Sequence, residues 1–264
     1  MNNYYYFSRD TGWGDTLWHL TNALMYCEQN KKDILIDMRG HWASKVDKNL
    51  FGEYFQNIDT DIEVILNERC IDQYKKEAEP HSDSRLVIKN PLKSKEESKK
   101  FYEVFNRINV HGAIAAEINE VREKYFSGNY VVGVHARTSN GEVLPPKTGN
   151  SNRFQGERNA IDTIFNIFKE KIDHVLFDSP RAFLKACDNY KFFLATDSRQ
   201  FANLFEKEYG NTIITERYFA PPGCGTGHEK GEKSTDIELK MEEAYGRTKI
   251  AKEALVDFYL LQHT

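Results

Sequence analysis

The stretch KFFLATDSRQFANLFEKEYGNTIIT, residues 191–215, carries the reading of the fold. KFFLAT is an apolar run suited to a strand buried on both faces, and it ends abruptly in the polar residues Asp197 and Ser198. RQFANLFEKEY then reads as a helix, and NTIIT as the next strand. Strand, helix and strand in succession predict a βαβ unit and a mostly parallel sheet.

The same rhythm extends in both directions. In the first half, NYYYF (3–7) reads as a strand. DTGWGDTLWHLTNALMYCEQN (10–30) is a glycine turn feeding a helix, with Leu17, Leu20, Ala23, Leu24 and Cys27 on one apolar face. DILID (33–37) is a buried strand, and IEVIL (62–66) and RLVIK (85–89) are further strand candidates. Residues 91–108 are charged and then periodic, with Phe101, Phe105 and Ile108 at helical spacing. NVHG (109–112) breaks that pattern and marks a boundary between two α/β domains, residues 1–110 and 111–264. The second half opens with a helix over 113–126 and the strand YVVGVH (130–135). Ile161, Ile164, Phe165, Phe168, Ile172 and Val175 then form a helical stripe that reads as core. APPGCGTGHEKGEKS (220–234) is loop-like, and residues 235–261 read as a helix broken near Gly246.

Composition bounds the function. With 264 residues, 40% of them apolar and 13% aromatic, the chain can bury a substantial core. A net charge of −4 and a pI near 6.1 give no reason to expect nucleic acid or an anionic membrane as partner. Cys27, Cys70, Cys187 and Cys224 are far apart and form no CxxC, which predicts reduced thiols. The start, MNNYYYFSRDTGWGD, lacks the basic and apolar regions of a secretory signal, and no apolar run approaches the roughly 20 residues a transmembrane helix needs. The expectation is a cytoplasmic protein without a transmembrane segment, at most peripheral to the inner face of the membrane.

Ligands of parallel α/β sheets bind beyond the carboxyl ends of the strands, and three polar features fall at such ends. In the first, Gly12 and Gly14 allow a tight turn and a close backbone approach, while Asp15 and Thr16 suit a helix N-terminus. A plain turn explains this as well as a binding loop does. The second is VGVHARTSNGE (132–142), where an apolar strand gives way to His135 and Arg137, two residues apart and on one side of an extended chain. An arginine fork suits a diphosphate because it offers two parallel charge-assisted hydrogen bonds, and a histidine adds a third donor. Gly141 permits a turn that carries Glu142 back to the same place. The competing explanation is a surface arginine paired with a carboxylate. The third feature is Thr196-Asp197-Ser198, where Asp197 or Ser198 can cap the following helix or meet a nucleotide.

Other candidates fail on context. DTD (59–61) resembles an acidic metal motif but precedes its strand instead of following it. GCGTGHEKGEKS (223–234) misses a Walker loop because Glu232 stands where a glycine should precede Lys233. No His-x-x-x-His pair or cysteine–histidine spacing suggests a metal site.

Three segments, GWGDTLWHLTNALMYCEQNKKDILIDMRG, VVGVHARTSNGE and FFLATDS, together resemble the rhizobial nodulation fucosyltransferase family and, more remotely, the animal α-1,6-fucosyltransferases. RYFAPPGCGTGHE is similar to the family's loop after the following strand. The resemblance implies a GT-B architecture of two Rossmann-like domains facing across a cleft, with the nucleotide sugar held mainly by the second. It implies GDP-fucose as donor, inversion at the anomeric carbon, no metal or other cofactor, and an oligosaccharide or lipid-linked glycan as acceptor. It assigns His135, Arg137 and Asn140 to the donor side with the diphosphate on His135 and Arg137, Asp197 and Ser198 to the guanosine part, and Glu142 to the catalytic base. The loop Gly12, Trp13, Gly14 and Asp15 would face the acceptor, with the tryptophan available to stack on a sugar. Against the family pattern, the chain stops at Thr264, before a further strand and a serine-containing motif, so either the second domain is truncated or this branch completes its donor site differently. Two alternatives use the same residues: a glycosyltransferase for GDP-mannose or a UDP-sugar, and a non-catalytic nucleotide-sugar-binding protein.

Overall fold

A computed structural model describes residues 3–41, 43, 48–90, 93–136, 161–174, 189–219 and 246–264. The chain divides into two compact units, Met1–Ala116 and Glu117–Thr264.

In chain order the first unit holds β1 (Tyr4–Phe7), α1 (Trp13–Asn30), β2 (Asp33–Ile36), the short α2 (Phe51–Tyr54), β3 (Phe55–Ile58), β4 (Val64–Ile65), α3 (Glu68–Tyr74), β5 (Glu79–Pro80), α4 (Lys95–Phe105) and β6 (Ile108–Val110). Helix α5 (Gly112–Val121) spans the division and continues as a wider turn over Arg122–Phe126. The four strands β4-β2-β1-β5 form one parallel sheet in that order. Leu17, Leu20, Ala23, Leu24 and Cys27 of α1 are all buried, as the periodicity of that segment predicts. Trp18 lies against Phe101 of α4, with ring centroids 4.8 Å apart, so it belongs to the helix–helix contact.

Two expectations need correction here. RLVIK is not a strand: Asp83–Arg85 is a 3₁₀ turn, and the Ile88 N–H donates to Asn22 Oδ1 of α1 at 2.7 Å. The backbone group that a ladder would need is taken by a helix side chain, and the sheet edge is formed instead by Glu79–Pro80 beside Tyr5 and Tyr6. A proline is tolerated there because an edge strand has a side with no ladder. Ile108 is buried, but as part of β6, paired with Ile58 of the antiparallel strand β3. Helix α4 has ended by Asn106, so the apolar residue fits the helical spacing without extending the helix.

The second unit contains β7 (Tyr130–Ala136), α6 (Ile161–Asp173), β8 (Tyr190–Thr196), α7 (Arg199–Tyr209), β9 (Thr212–Ile213) and α8 (Arg247–Leu261). Its sheet is parallel, in the order β7-β8-β9. Strand β8 and helix α7 coincide with the segments read from residues 191–215. Phe192 and Leu194 of β8 pack with Phe201, Ala202 and Phe205 of α7 and Phe165 of α6 in one apolar cluster. Helix α8 buries the stripe Ala251, Leu255, Val256 and Leu260. It starts immediately after Gly246, whose φ of 82° is one that only glycine adopts readily. Both units are thus mixed α/β with parallel sheets. Among the described residues no helix is long and apolar enough to cross a membrane.

Candidate functional site

The second unit brings two of the sequence features to one sheet edge. Strands β7 and β8 run parallel, with His135 opposite Ala195 and Ala136 opposite Thr196. The ends of the two strands, His135–Ala136 and Ala195–Thr196, therefore lie side by side at the carboxyl edge of the sheet, with Asp197 and Ser198 following β8. His135 is exposed and Asp197 half-buried. Ser198 is buried and caps α7, its hydroxyl accepting from the Phe201 N–H at 3.2 Å, while its own N–H donates to Thr196 Oγ1 at 3.3 Å. The polar cluster is held by local geometry, because the cap fixes the direction in which α7 departs. Arg137, Asn140 and Glu142 lie outside the described residues.

Sequence reasoning passed over a third element at this edge. Beyond β9, the Arg217 guanidinium makes a two-pronged ion pair with Asp257 of α8, and both side chains are only 8% exposed. Thr215 Oγ1 donates to the same carboxylate at 3.0 Å, and the Tyr218 N–H donates to Glu253 Oε2 at 2.9 Å. Burial draws the Arg217 pKa down to about 10, which still leaves it charged at neutral pH. Its Nε is buried without a hydrogen-bond partner among the described residues. Arg199, one residue after Ser198, lies over the Phe219 ring at 4.1 Å. The signal was available: Thr215, Glu216 and Arg217 follow an apolar strand by the same rule that singled out His135 and Asp197.

The carboxyl edge of the first unit's sheet is built differently. Gly12 is the N-cap of α1 without a side-chain cap, and Gly14 lies in the first turn. Trp13 is 4% exposed, packed on His41, Tyr54 and Phe55, which corrects the expectation of a sugar-stacking ring: its faces are committed to the core. Asp15 is partly exposed and accepts from Arg9 Nε at 2.8 Å. Burial pushes the Asp15 carboxyl up, but the bonds from Arg9 and Thr11 hold it below the usual carboxylate range. Beside it, Tyr5 Oη is 2.7 Å from His81 Nδ1, and His81 Nε2 is 2.9 Å from His19 Nδ1. Burial, with the neighbouring His19 ring and Arg9, lowers His81 to about 4, and burial with Arg9 also lowers His19. Both rings are therefore neutral at neutral pH. Further along the edge Arg39 forks onto Asp37 and reaches Asp72.

Against known proteins, the family model described as nodulation protein Z (NodZ) matches residues 78–234, more than half of the chain. The nodulation protein Z of Azorhizobium caulinodans is 24% identical over 259 residues, covering 83% of this chain and 75% of the relative. That of Bradyrhizobium diazoefficiens is 24% identical over 260 residues, covering 83% and 66%. The crystal structure of a NodZ α-1,6-fucosyltransferase soaked with GDP-fucose superposes with a TM-score of 0.63 at 16% identity, over 100% of this chain and 86% of the other, and so shares its fold. The family match, running across the second-unit strand ends described above, places this chain in the nodulation protein Z family.

Proposed function

We propose that this chain is a fucosyltransferase that moves fucose from GDP-fucose to an N-acetylglucosamine-containing glycan or glycolipid, with inversion and with no metal at the diphosphate. The observation that supports this reading most is the β7–β8 register, which sets His135 and Asp197 at one carboxyl edge in a chain of the NodZ family. Relatives of this family are α-1,6-fucosyltransferases, one of them studied with GDP-fucose. The reading carries the GT-B arrangement with it: two Rossmann-like domains facing across a cleft, the second holding the donor.

In this mechanism the bond between fucose C1 and the β-phosphate oxygen breaks as the acceptor oxygen bonds to C1 from the opposite face. Negative charge grows on the departing GDP, and Arg137 with His135 stabilises it where other enzymes use a cation. The acceptor hydroxyl proton passes to Glu142, which the inverting geometry requires on the acceptor side. Asn140 assists donor binding, and Asp197 and Ser198 meet the guanosine part.

Calorimetry with GDP, UDP and CMP, followed by mass spectrometry of products formed from GDP-fucose and mixed glycan acceptors, tests the proposal. Saturable GDP binding and a fucosylated product are expected. Preference for UDP, or donor binding without transfer or hydrolysis, overturns it in favour of another donor or of a binding protein. Glu142→Gln should bind donor normally and transfer slowly; a full rate places the base elsewhere.

A further inference from the structure

In the first unit the strand order β4-β2-β1-β5 reverses direction between β1 and β5. At such a reversal the loops diverge and leave a crevice beyond the strand ends, the usual ligand position in open parallel sheets. His19 from α1 and His81 and Asp83 from the segment after β5 meet at this place, and the donor reading has no use for any of them.

Their geometry is that of a metal site. One ring nitrogen from each of His19 and His81 and an Asp83 carboxylate oxygen lie within 4.8 Å of one another. The separations are 2.9 Å between the two ring nitrogens and 3.7 Å from His19 Nδ1 to Asp83 Oδ1. Tetrahedral ligands at about 2.0–2.1 Å from a zinc ion are about 3.3 Å apart, a value these two distances bracket. The outward-facing nitrogens are occupied as well: His81 Nδ1 bonds the Tyr5 hydroxyl at 2.7 Å, and His19 Nε2 faces Asp15 Oδ1 at 3.5 Å. A hydroxyl or carboxylate behind each imidazole is the outer support that orients metal-binding histidines. Arg9 reaches Asp15 at 2.8 Å and Asp83 at 3.3 Å, holding both carboxylates near the rings while opposing a second positive charge.

We propose that His19, His81 and Asp83 bind one zinc-class divalent cation, which ties α1 to the segment after β5. Two imidazoles and one carboxylate suit zinc, cobalt or nickel, whereas calcium and magnesium require an oxygen-rich shell. The Asp83 side chain is 71% exposed, so the fourth position faces solvent and is open to a water or a hydroxyl ligand. The three ligands belong to the first unit and are none of the residues assigned to the donor diphosphate, so transfer without a metal at the diphosphate is compatible with the proposal.

The test uses the full chain stripped with a chelator and titrated with Zn²⁺ by calorimetry, and with Co²⁺ by visible absorption. One ion per chain, with the intense d–d bands of four- or five-coordinate cobalt, is expected. Asp83→Asn changes an exposed side chain and should fold normally while weakening binding about tenfold or more, and Tyr5→Phe should weaken it by about ten- to a hundredfold. Arg9→Gln should tighten it several-fold by removing a like charge. No saturable binding, or equal binding by wild type, His81→Gln and Asp83→Asn, reduces the cluster to a hydrogen bond between two neutral rings and overturns the proposal. Because none of these readouts involves transfer, they fail or succeed independently of the fucosyltransferase reading.

Discussion

The carboxyl edges of the two parallel sheets carry similar residue types arranged for different ends. In the first unit the charges answer one another: Arg9 joins Asp15 and Asp83, and Arg39 joins Asp37 and Asp72. In the second unit the ion pair Arg217–Asp257 is withdrawn below the surface, while His135 stays exposed and Asp197 half-buried at the strand ends. Polar residues at a strand's end thus mark an edge without saying what the edge does. The partners decide that, and they come from distant parts of the chain.

The contrast can be broken most forcefully at Arg137. Arg137→Ala should lower turnover by roughly 10²–10³ or more, the loss expected for a charge-stabilising donor, whereas Arg39→Ala in the first unit should leave steady-state transfer within a few-fold. Comparable losses from both would erase the functional difference between the edges. Next in size is the buried pair. Arg217→Met strands the Asp257 carboxylate and should cost about 3–5 kcal/mol in urea unfolding, while Arg217→Met with Asp257→Leu should recover most of it. A double variant as unstable as the single would show that the packing of Arg217 matters and its charge does not.

The first-unit network predicts an acid dependence. Burial pushes the carboxyls of Asp37 and Glu28 up, but the guanidinium of Arg39 on one and Arg107 with Thr60 on the other more than offset it, and both end below the ordinary range. The unfolded chain then binds protons that the folded chain refuses. Stability is fully present above the ordinary carboxylate range and is lost as pH falls through the depressed folded values. Unfolding followed from pH 7 to pH 2 should show this slope, and Asp37→Asn should flatten it; an unchanged slope would remove Asp37 from the account. The smallest effect is expected at Ser198. Ser198→Ala should cost about 1 kcal/mol through the lost cap, and Ser198→Asn, another good capping residue, should restore stability. If GDP affinity returns with stability in Ser198→Asn, the hydroxyl serves the helix alone.

What the sequence revealed follows from the range of the forces involved. β8 and α7 were readable because an apolar run and a helical stripe are local patterns that buried packing preserves. β3, with the exposed Gln56 and Asn57 at its centre, offers no such pattern and exists because β6 pairs with it some fifty residues later. RLVIK had the composition of a strand and lost its ladder to Asn22, a partner 66 residues away. The same holds for the sites. His135 and Asp197 were visible as strand ends, but Arg217 and Asp257 are 40 residues apart, and His19 and His81 are 62. Neither pair leaves a trace in spacing.

Gly246 gives α8 its starting direction, and the consequence reaches well past the helix. Asp257 and Glu253 on α8 are what hold Arg217 and the Tyr218 backbone in place after β9. Holding that strand-end segment therefore depends on where α8 lies, and the helix begins at a backbone angle that disfavours any side chain. A methyl group added at position 246 would meet nothing within 4 Å, so its whole cost would be the φ of 82° that the added carbon disfavours.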